Sequence, residues 1–312
     1  MSDEKKEKIV VLGFGWVGQA NAIALVQMGY QVFYYDIVEP KRHYERDFKD
    51  WYTKIKPLGQ LLEKDDEFTW YIVAVGDRVR DDGTQDTSLI KKALDELKNA
   101  RGGIILRSTV LPPSLKELSF DYYLPEFLHE KYAVKECLYP HFFVIGSRQR
   151  TAKLPSFFAI WAKNSYKTYW GTPEEASYIK YLSNLWNAVR IAFVNEFGDT
   201  ISQPNSPENI KAIEKIVNFV FEGKFYLRYG GSFSGHCLPK DTLAFYNWLK
   251  KEGKNAALLE GAYQSNEIHR QIAEKHKILP EWFSEWQKSD VSGRVALTSL
   301  WKIFKKRLKN LR

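Results

Sequence analysis

Lys8-Ile9-Val10-Val11-Leu12-Gly13-Phe14-Gly15-Trp16-Val17-Gly18 is an apolar run that ends in three glycines spaced G-x-G-x-x-G. A short, continuous apolar run stopped by glycine reads as a strand buried on both faces. Gln19 to Met28 reads as the helix that follows, closed by Gly29. Val32 to Tyr35 reads as a second strand, ending at Asp36, roughly twenty residues beyond the first glycine. In that setting Gly13 permits the tight turn, Gly15 lets backbone approach a pyrophosphate, and Gly18 lets the helix pack on the strand. The helix N-terminus then faces the phosphates. Asp36 can accept hydrogen bonds from adenosine ribose hydroxyls and would repel a 2′-phosphate, so NAD is expected rather than NADP. Phe14, Trp16, Val17 and Lys41 are further candidate cofactor contacts.

The alternation continues outward. Trp70 to Val75, Gly103 to Leu106 and Phe142 to Gly146 read as strands, with a helix over 88–100. The expected fold class is α/β, a Rossmann-like doubly wound parallel sheet followed by an α-helical domain. From Pro173 the pattern turns helical, with runs near 174–201, 207–221 and 255–277. The expected organisation is a dinucleotide-binding domain over 1–160, a helical central domain over 172–278, and a basic amphipathic tail over 279–312.

At 312 residues, with 44% hydrophobic and 27% charged residues, the chain suits two domains with a sizeable core. No apolar run reaches the roughly eighteen residues of a membrane span. The hydrophilic N-terminus carries no signal-peptide pattern. Two cysteines, Cys137 and Cys237, make a disulfide framework improbable and point to a reduced, cytoplasmic protein. The net charge of +8 is compatible with nucleic acid, a membrane surface or an anionic substrate, and decides nothing alone. In the tail, Leu297, Leu300, Trp301, Phe304, Leu308 and Leu311 fall on one helical stripe among basic residues. That stripe suits docking on protein, and also an anionic membrane surface reached through residues 294–312.

Several segments resemble, in order, the UDP-glucose/GDP-mannose dehydrogenase family over roughly residues 8–275. Gly230-Gly231-Ser232-Phe233-Ser234-Gly235-His236-Cys237-Leu238-Pro239-Lys240-Asp241 is similar to its nucleophile loop, glycine-rich and ending in Cys-x-x-Lys-Asp. Pro125-Glu126-Phe127-Leu128-His129-Glu130, Ser108-Thr109-Val110 and Lys180-x-x-x-Asn184 resemble its other signature segments. The resemblance implies oxidation of a nucleotide-sugar C6 alcohol to the carboxylate, with NAD and no metal. Two oxidations are needed, and a cysteine thiolate that captures the aldehyde prevents its escape between them. Cys237 is the implied nucleophile, with Lys180 and Lys240 expected to lower its pKa. Lys180 and Asn184, four apart, share one helix face and would stabilise oxyanion character at C6. Asp241 would help activate water, Thr109 would hold it, Glu126 would position substrate and Glu130 would assist acyl hydrolysis. Phe127, Leu128, Phe233, Gly235 and Lys240 are the other implied substrate contacts, with Tyr226 over the base and Arg228 near the diphosphate.

Three features depart from the family pattern. Val75-Gly76-Asp77-Arg78 stands where the family has Val-Pro-Thr-Pro. Phe221 falls where the family brings an arginine from a neighbouring subunit. The residues after 275 are too few for the family's further nucleotide-binding domain. Cys-Leu-Pro-Lys-Asp-Thr resembles the UDP-glucose branch, whereas Gly-His-Cys resembles the UDP-N-acetylhexosamine branch; UDP-glucose, giving UDP-glucuronate, is the favoured expectation. A β-hydroxyacid dehydrogenase and a catalytically silent nucleotide-sugar-binding subunit of glycan assembly are the competing readings. A homodimer is expected through the helix at Tyr178 to Phe197, on Trp186, Ala188, Ile191 and Val194.

Overall fold

The computed structural model describes residues 7–80, 82–149, 153–224, 226–233 and 237–276. The tail over 279–312 lies outside the described residues, and so do both readings of it.

The first half is a sheet with helices on both sides. Strand β1 (Lys8–Leu12) leads into helix α1 (Trp16–Gln27), then β2 (Gln31–Tyr35), α2 (Glu45–Tyr52), β3 (Lys56–Pro57) and β4 (Thr69–Val73). A small hairpin, β5 (Arg78–Val79) and β6 (Gln85–Asp86), interrupts before α3 (Ser88–Glu96) and β7 (Gly103–Leu106). A 3₁₀ turn at Pro112–Glu117, β8 (Tyr122–Tyr123), α4 (Ala133–Leu138), β9 (Phe142–Gly146), α5 (Ser156–Asn164) and β10 (Lys167–Gly171) complete it. The eight-stranded order is β10-β9-β8-β7-β4-β1-β2-β3. It is parallel from β3 to β8; β8 meets β9 antiparallel, and β9 and β10 pair parallel to each other. The sheet is the expected doubly wound, predominantly parallel one, with a reversed pair at one edge.

Alternate side chains explain why the strands read as unbroken apolar runs. Ile9 and Val11 of β1 enter one core with Ile23, Ile72, Ile105 and Phe157. Val10 and Leu12 enter the opposite core with Tyr71, Val73, Ile90 and Leu106. Strand β10 is the exception, with Lys167 to Trp170 exposed at the sheet edge.

Helix α6 (Pro173–Ile201) joins the two halves, 29 residues or about 43 Å long. Thr172 and Glu175 form a capping box at its start, with Pro173 in the first turn where its missing N–H costs nothing. Its residues Tyr181 and Leu185 pack on Ala244 and Leu111. Further along, Ala188, Ile191 and Ala192 pack on Phe233 and Ala262, and Val194 on Ile210, Ile213 and Val217. Leu111 precedes the 3₁₀ turn, and the other partners come from α7 (Pro207–Phe221), α8 (Cys237–Lys251), α9 (Ala257–His276) and the segment before Cys237.

This packing revises the expected dimer surface. Ala188, Ile191 and Val194 are buried within the chain itself. The exposed apolar face of α6 is instead Tyr178, Leu182, Trp186, Phe193 and Phe197.

Candidate functional site

The turn between β1 and α1 is shaped for a dinucleotide. Gly13 has φ +82°, a left-handed conformation, and a Cβ there would press on the Ala74 carbonyl at 2.8 Å. A Cβ on Gly18 would run into the Gly13 carbonyl oxygen. At Gly15 a Cβ would meet nothing within 4 Å, so the space above the turn is open. Helix α1 begins with no side-chain cap and no acidic residue in its first turn. Its first N–H groups are therefore free to point at an anion, the fit a pyrophosphate requires. Asp36 accepts from the Phe14 N–H at 2.6 Å and the Val38 N–H at 3.1 Å, which fixes the carboxylate at the mouth of the turn. Trp16 stacks on His43 with centroids 4.1 Å apart, and Lys41 is exposed beside them. Gln19, unremarked in the sequence, is fully buried and donates to the Phe14 and Lys41 carbonyls, both at 2.6 Å.

A second cluster forms where the sheet meets the helical half. Lys180 and Asn184 of α6, Glu126 after β8 and Asp241 of α8 are all buried. Lys180 Nζ lies 3.6 Å from Glu126 Oε1 and 5.4 Å from the Phe127 ring centroid. Glu126 Oε2 accepts from the Leu128 N–H at 2.7 Å. Asn184 donates to Asp241 Oδ2 at 2.6 Å, while Lys240 donates to Asp241 Oδ1 at 2.6 Å. Thr109 is buried at the same junction, its carbonyl accepting from Gln85 at 3.0 Å.

Cys237 opens α8, where the helix dipole favours an anion. Its side chain is reachable at the surface, yet surrounding protein still denies the sulfur full solvation. That desolvation and the Glu126 charge push the thiol up to about 11, against the pull of Lys180 and Lys240. The two lysines therefore do not produce a resting thiolate. Burial pushes the Glu126 carboxyl up, but Lys180, the Leu128 amide, Arg107 and Lys240 outweigh it and hold it below the usual value. Burial likewise pushes Lys180 down, and Glu126, Cys237 and Asp241 more than restore it. The site is a charged network with a protonated thiol at its edge.

Of the other expected contacts, Phe127 and Tyr226 adjoin the cluster. Tyr226 sits at φ +58°, its hydroxyl 2.6 Å from His129 Nε2, its ring 5.6 Å from the Arg190 guanidinium. Arg228 is exposed, as is Glu130, whose charge acts on His43 and Tyr44 rather than on Cys237. The Phe233 side chain is buried in the helical core. Gly235 lies outside the described residues. Phe221 ends α7 against that same half, under the Lys224 ammonium at 5.4 Å.

Sequence reasoning missed the residues that hold the cysteine segment. Asn195 donates to the Gly231 carbonyl at 2.9 Å and accepts from the Gly230 N–H at 2.8 Å. Asn266 accepts from the Phe233 N–H at 2.6 Å and donates to its carbonyl at 3.0 Å. Lone asparagines inside helical runs carry no local signal, and only the fold brings them to the segment. Among the described residues no group of acidic, histidine or cysteine side chains is arranged to hold a metal.

Two family models match the chain. That of the UDP-glucose/GDP-mannose dehydrogenase family NAD binding domain covers residues 7–165, and that of the same family's central domain covers 174–268. UDP-glucose 6-dehydrogenase of Rickettsia bellii is 29% identical over 289 residues, covering 83% of this chain and 66% of that protein. GDP-mannose 6-dehydrogenase of Pseudomonas putida is 26% identical over 309 residues, covering 85% of this chain and 69% of the relative. This chain thus spans about two thirds of the length of such relatives. The UDP-glucose dehydrogenase structure from Pyrobaculum islandicum superposes with a TM-score of 0.71 at 24% identity, over 86% of this chain and 69% of that one.

Proposed function

Because the chain belongs to the UDP-glucose/GDP-mannose dehydrogenase family, we propose that it oxidises the C6 alcohol of a nucleotide sugar to the carboxylate through a covalent intermediate on Cys237. The observation that carries this reading is the buried quartet of Lys180, Asn184, Glu126 and Asp241 around the start of the cysteine helix. NAD bound over the Gly13–Gly18 turn would supply the electron acceptor for each of two oxidations.

Lys180 keeps its proton and, with Asn184, faces the oxygen that gains negative charge as C6 is oxidised and later attacked. Cys237 adds to the aldehyde as its proton leaves, and Asp241 is the nearby carboxylate that can take it through water. The second oxidation converts the thiohemiacetal to a thioester. Water activated beside Asp241 and Glu126 then releases the acid and returns the proton to sulfur. Asp36 favours NAD over NADP by repelling a 2′-phosphate. UDP-glucose is the proposed sugar, from the Cys-Leu-Pro-Lys-Asp-Thr segment and the relatives' names. Pairing through the exposed face of α6 completes the proposal.

The test is NADH yield against a panel of UDP- and GDP-sugars. Two NADH per sugar are expected, and Cys237→Ser should cut turnover by roughly a thousandfold while leaving NAD binding intact. Wild-type turnover in that variant, or one NADH per sugar, refutes the covalent route.

A further inference from the structure

The segment that stands where the family pattern has Val-Pro-Thr-Pro carries a specific contact. Asp77 follows β4, and its Oδ2 accepts from Lys240 Nζ at 2.5 Å and from Gln85 Nε2 at 3.0 Å. Gln85 belongs to the β5–β6 hairpin and also accepts from the Leu111 N–H at 2.8 Å. The hairpin lies directly on α8, where a Cβ on Gly83 would collide with Asn247. Lys240 therefore sits between two carboxylates: Asp77 from the sheet half and Asp241 from its own helix. Asn184 holds the other oxygen of Asp241.

We propose that Asp77 is a positioning residue for the reaction: by holding Lys240 it fixes Asp241 and sets the charge beside Cys237. The inference rests on the dehydrogenase reading for its catalytic consequence, although the charge effect stands without it. Asp77, Lys240 and Asp241 together carry one net negative charge. Two carboxylates on one ammonium hold Lys240 protonated against the desolvation of its site. The other charged and titratable groups that face Cys237 are Glu126, Lys180 and Tyr226. With Asp77 neutralised, Lys240 is opposed by one carboxylate and the field at the sulfur becomes more positive.

The experiment reads Cys237 directly. Iodoacetamide modification of the Cys237 peptide is followed by mass spectrometry across the neutral to alkaline range, in wild type, Asp77→Asn and Asp77→Glu. The alkylation midpoint should fall by about one unit in Asp77→Asn and return in Asp77→Glu, which keeps the charge. Turnover of Asp77→Asn should drop about tenfold, with the KM for NAD within about twofold and an unchanged melting temperature. An unshifted midpoint in Asp77→Asn, or a Glu variant that behaves like Asn, overturns the proposal. Absence of NADH from wild type with every sugar would instead sink the dehydrogenase reading, while the alkylation arm still decides the role of Asp77.

Discussion

Cys237 and its neighbours illustrate how one residue's chemistry depends on who shares its burial. A helix N-terminus and two lysines would lower a thiol in water, yet desolvation and Glu126 prevail here. Lys180 pairs with Glu126 and Lys240 with Asp241, so the lysines serve those carboxylates first. His129 obeys the same logic on the rim. It donates or accepts at both ring nitrogens, to Glu136 at 2.7 Å and to the Tyr226 hydroxyl at 2.6 Å. Burial lowers its pKa, but Glu136 and Glu126 outweigh burial and the opposing Lys180, so it is raised. His141, Arg190 and Cys237 complete the charged and titratable groups around the pair. A raised folded-state value means the imidazolium contributes stability fully below the ordinary histidine pKa of 6.5 and loses it as pH rises through the raised value. His129→Asn should therefore lower the melting temperature most in mildly acidic buffer, and the two proteins should converge at alkaline pH. A deficit that grows with pH would show that protonation of His129 does not contribute.

The elements around the site are held by buried polar contacts that a helical pattern does not announce. Asn266 of α9 makes both of its hydrogen bonds to the backbone of Phe233 in the interior. Asn266→Ala should cost about 1–3 kcal/mol in denaturant unfolding, because two buried backbone groups lose their partners. It should also reduce turnover, since the segment leading to Cys237 loses its anchor. Loss of less than about 0.5 kcal/mol would show that the segment is fixed by other means. The same contrast explains what was legible beforehand. Strands β1, β2, β4, β7 and β9 sit between two cores, so their apolar runs betray them. Strands β3, β5, β6 and β8 have two residues each, too short for any period, and β10 is an exposed edge with none to show. Helix α8 was hidden because its start, Cys237-Leu238-Pro239, follows a glycine-rich stretch and looks like loop. Pro239 lies in the first turn, where no N–H bond is required of it. The candidate residues Lys180, Asn184, Asp241 and Glu126 were visible through their resemblance to the family's signature segments. Asp77, Asn195 and Asn266 were not, because each meets its partner only after folding.

At the scale of the molecule, the long spine α6 has an apolar face that the described residues leave mostly exposed, although the Tyr178 ring lies 6.3 Å from the Trp248 ring. Tyr178, Leu182, Trp186, Phe193 and Phe197 repeat at helical spacing, with Leu182 71% and Trp186 57% exposed. Phe193 and Phe197 stack at 6.0 Å, and Arg190 lies 5.5 Å over Trp186. Helix α7 adds Ile216, Phe219 and Val220, with Phe219 92% exposed. Exposed apolar side chains gathered on one helix face suit a protein interface, and a homodimer through α6 is the occupant we predict. A two-fold axis across α6 would let each copy cover the other's stripe with the same residues, an isologous pairing. Trp186 near the middle of the stripe is the expected anchor, since central aromatic residues dominate such interfaces. Light scattering at micromolar concentration should give the mass of two chains, and Trp186→Glu combined with Leu182→Glu should give one. Both substitutions lie on the exposed face, so the monomer should keep its circular dichroism and its NAD affinity. A wild-type monomer, or a double variant that stays dimeric, would remove α6 from the interface.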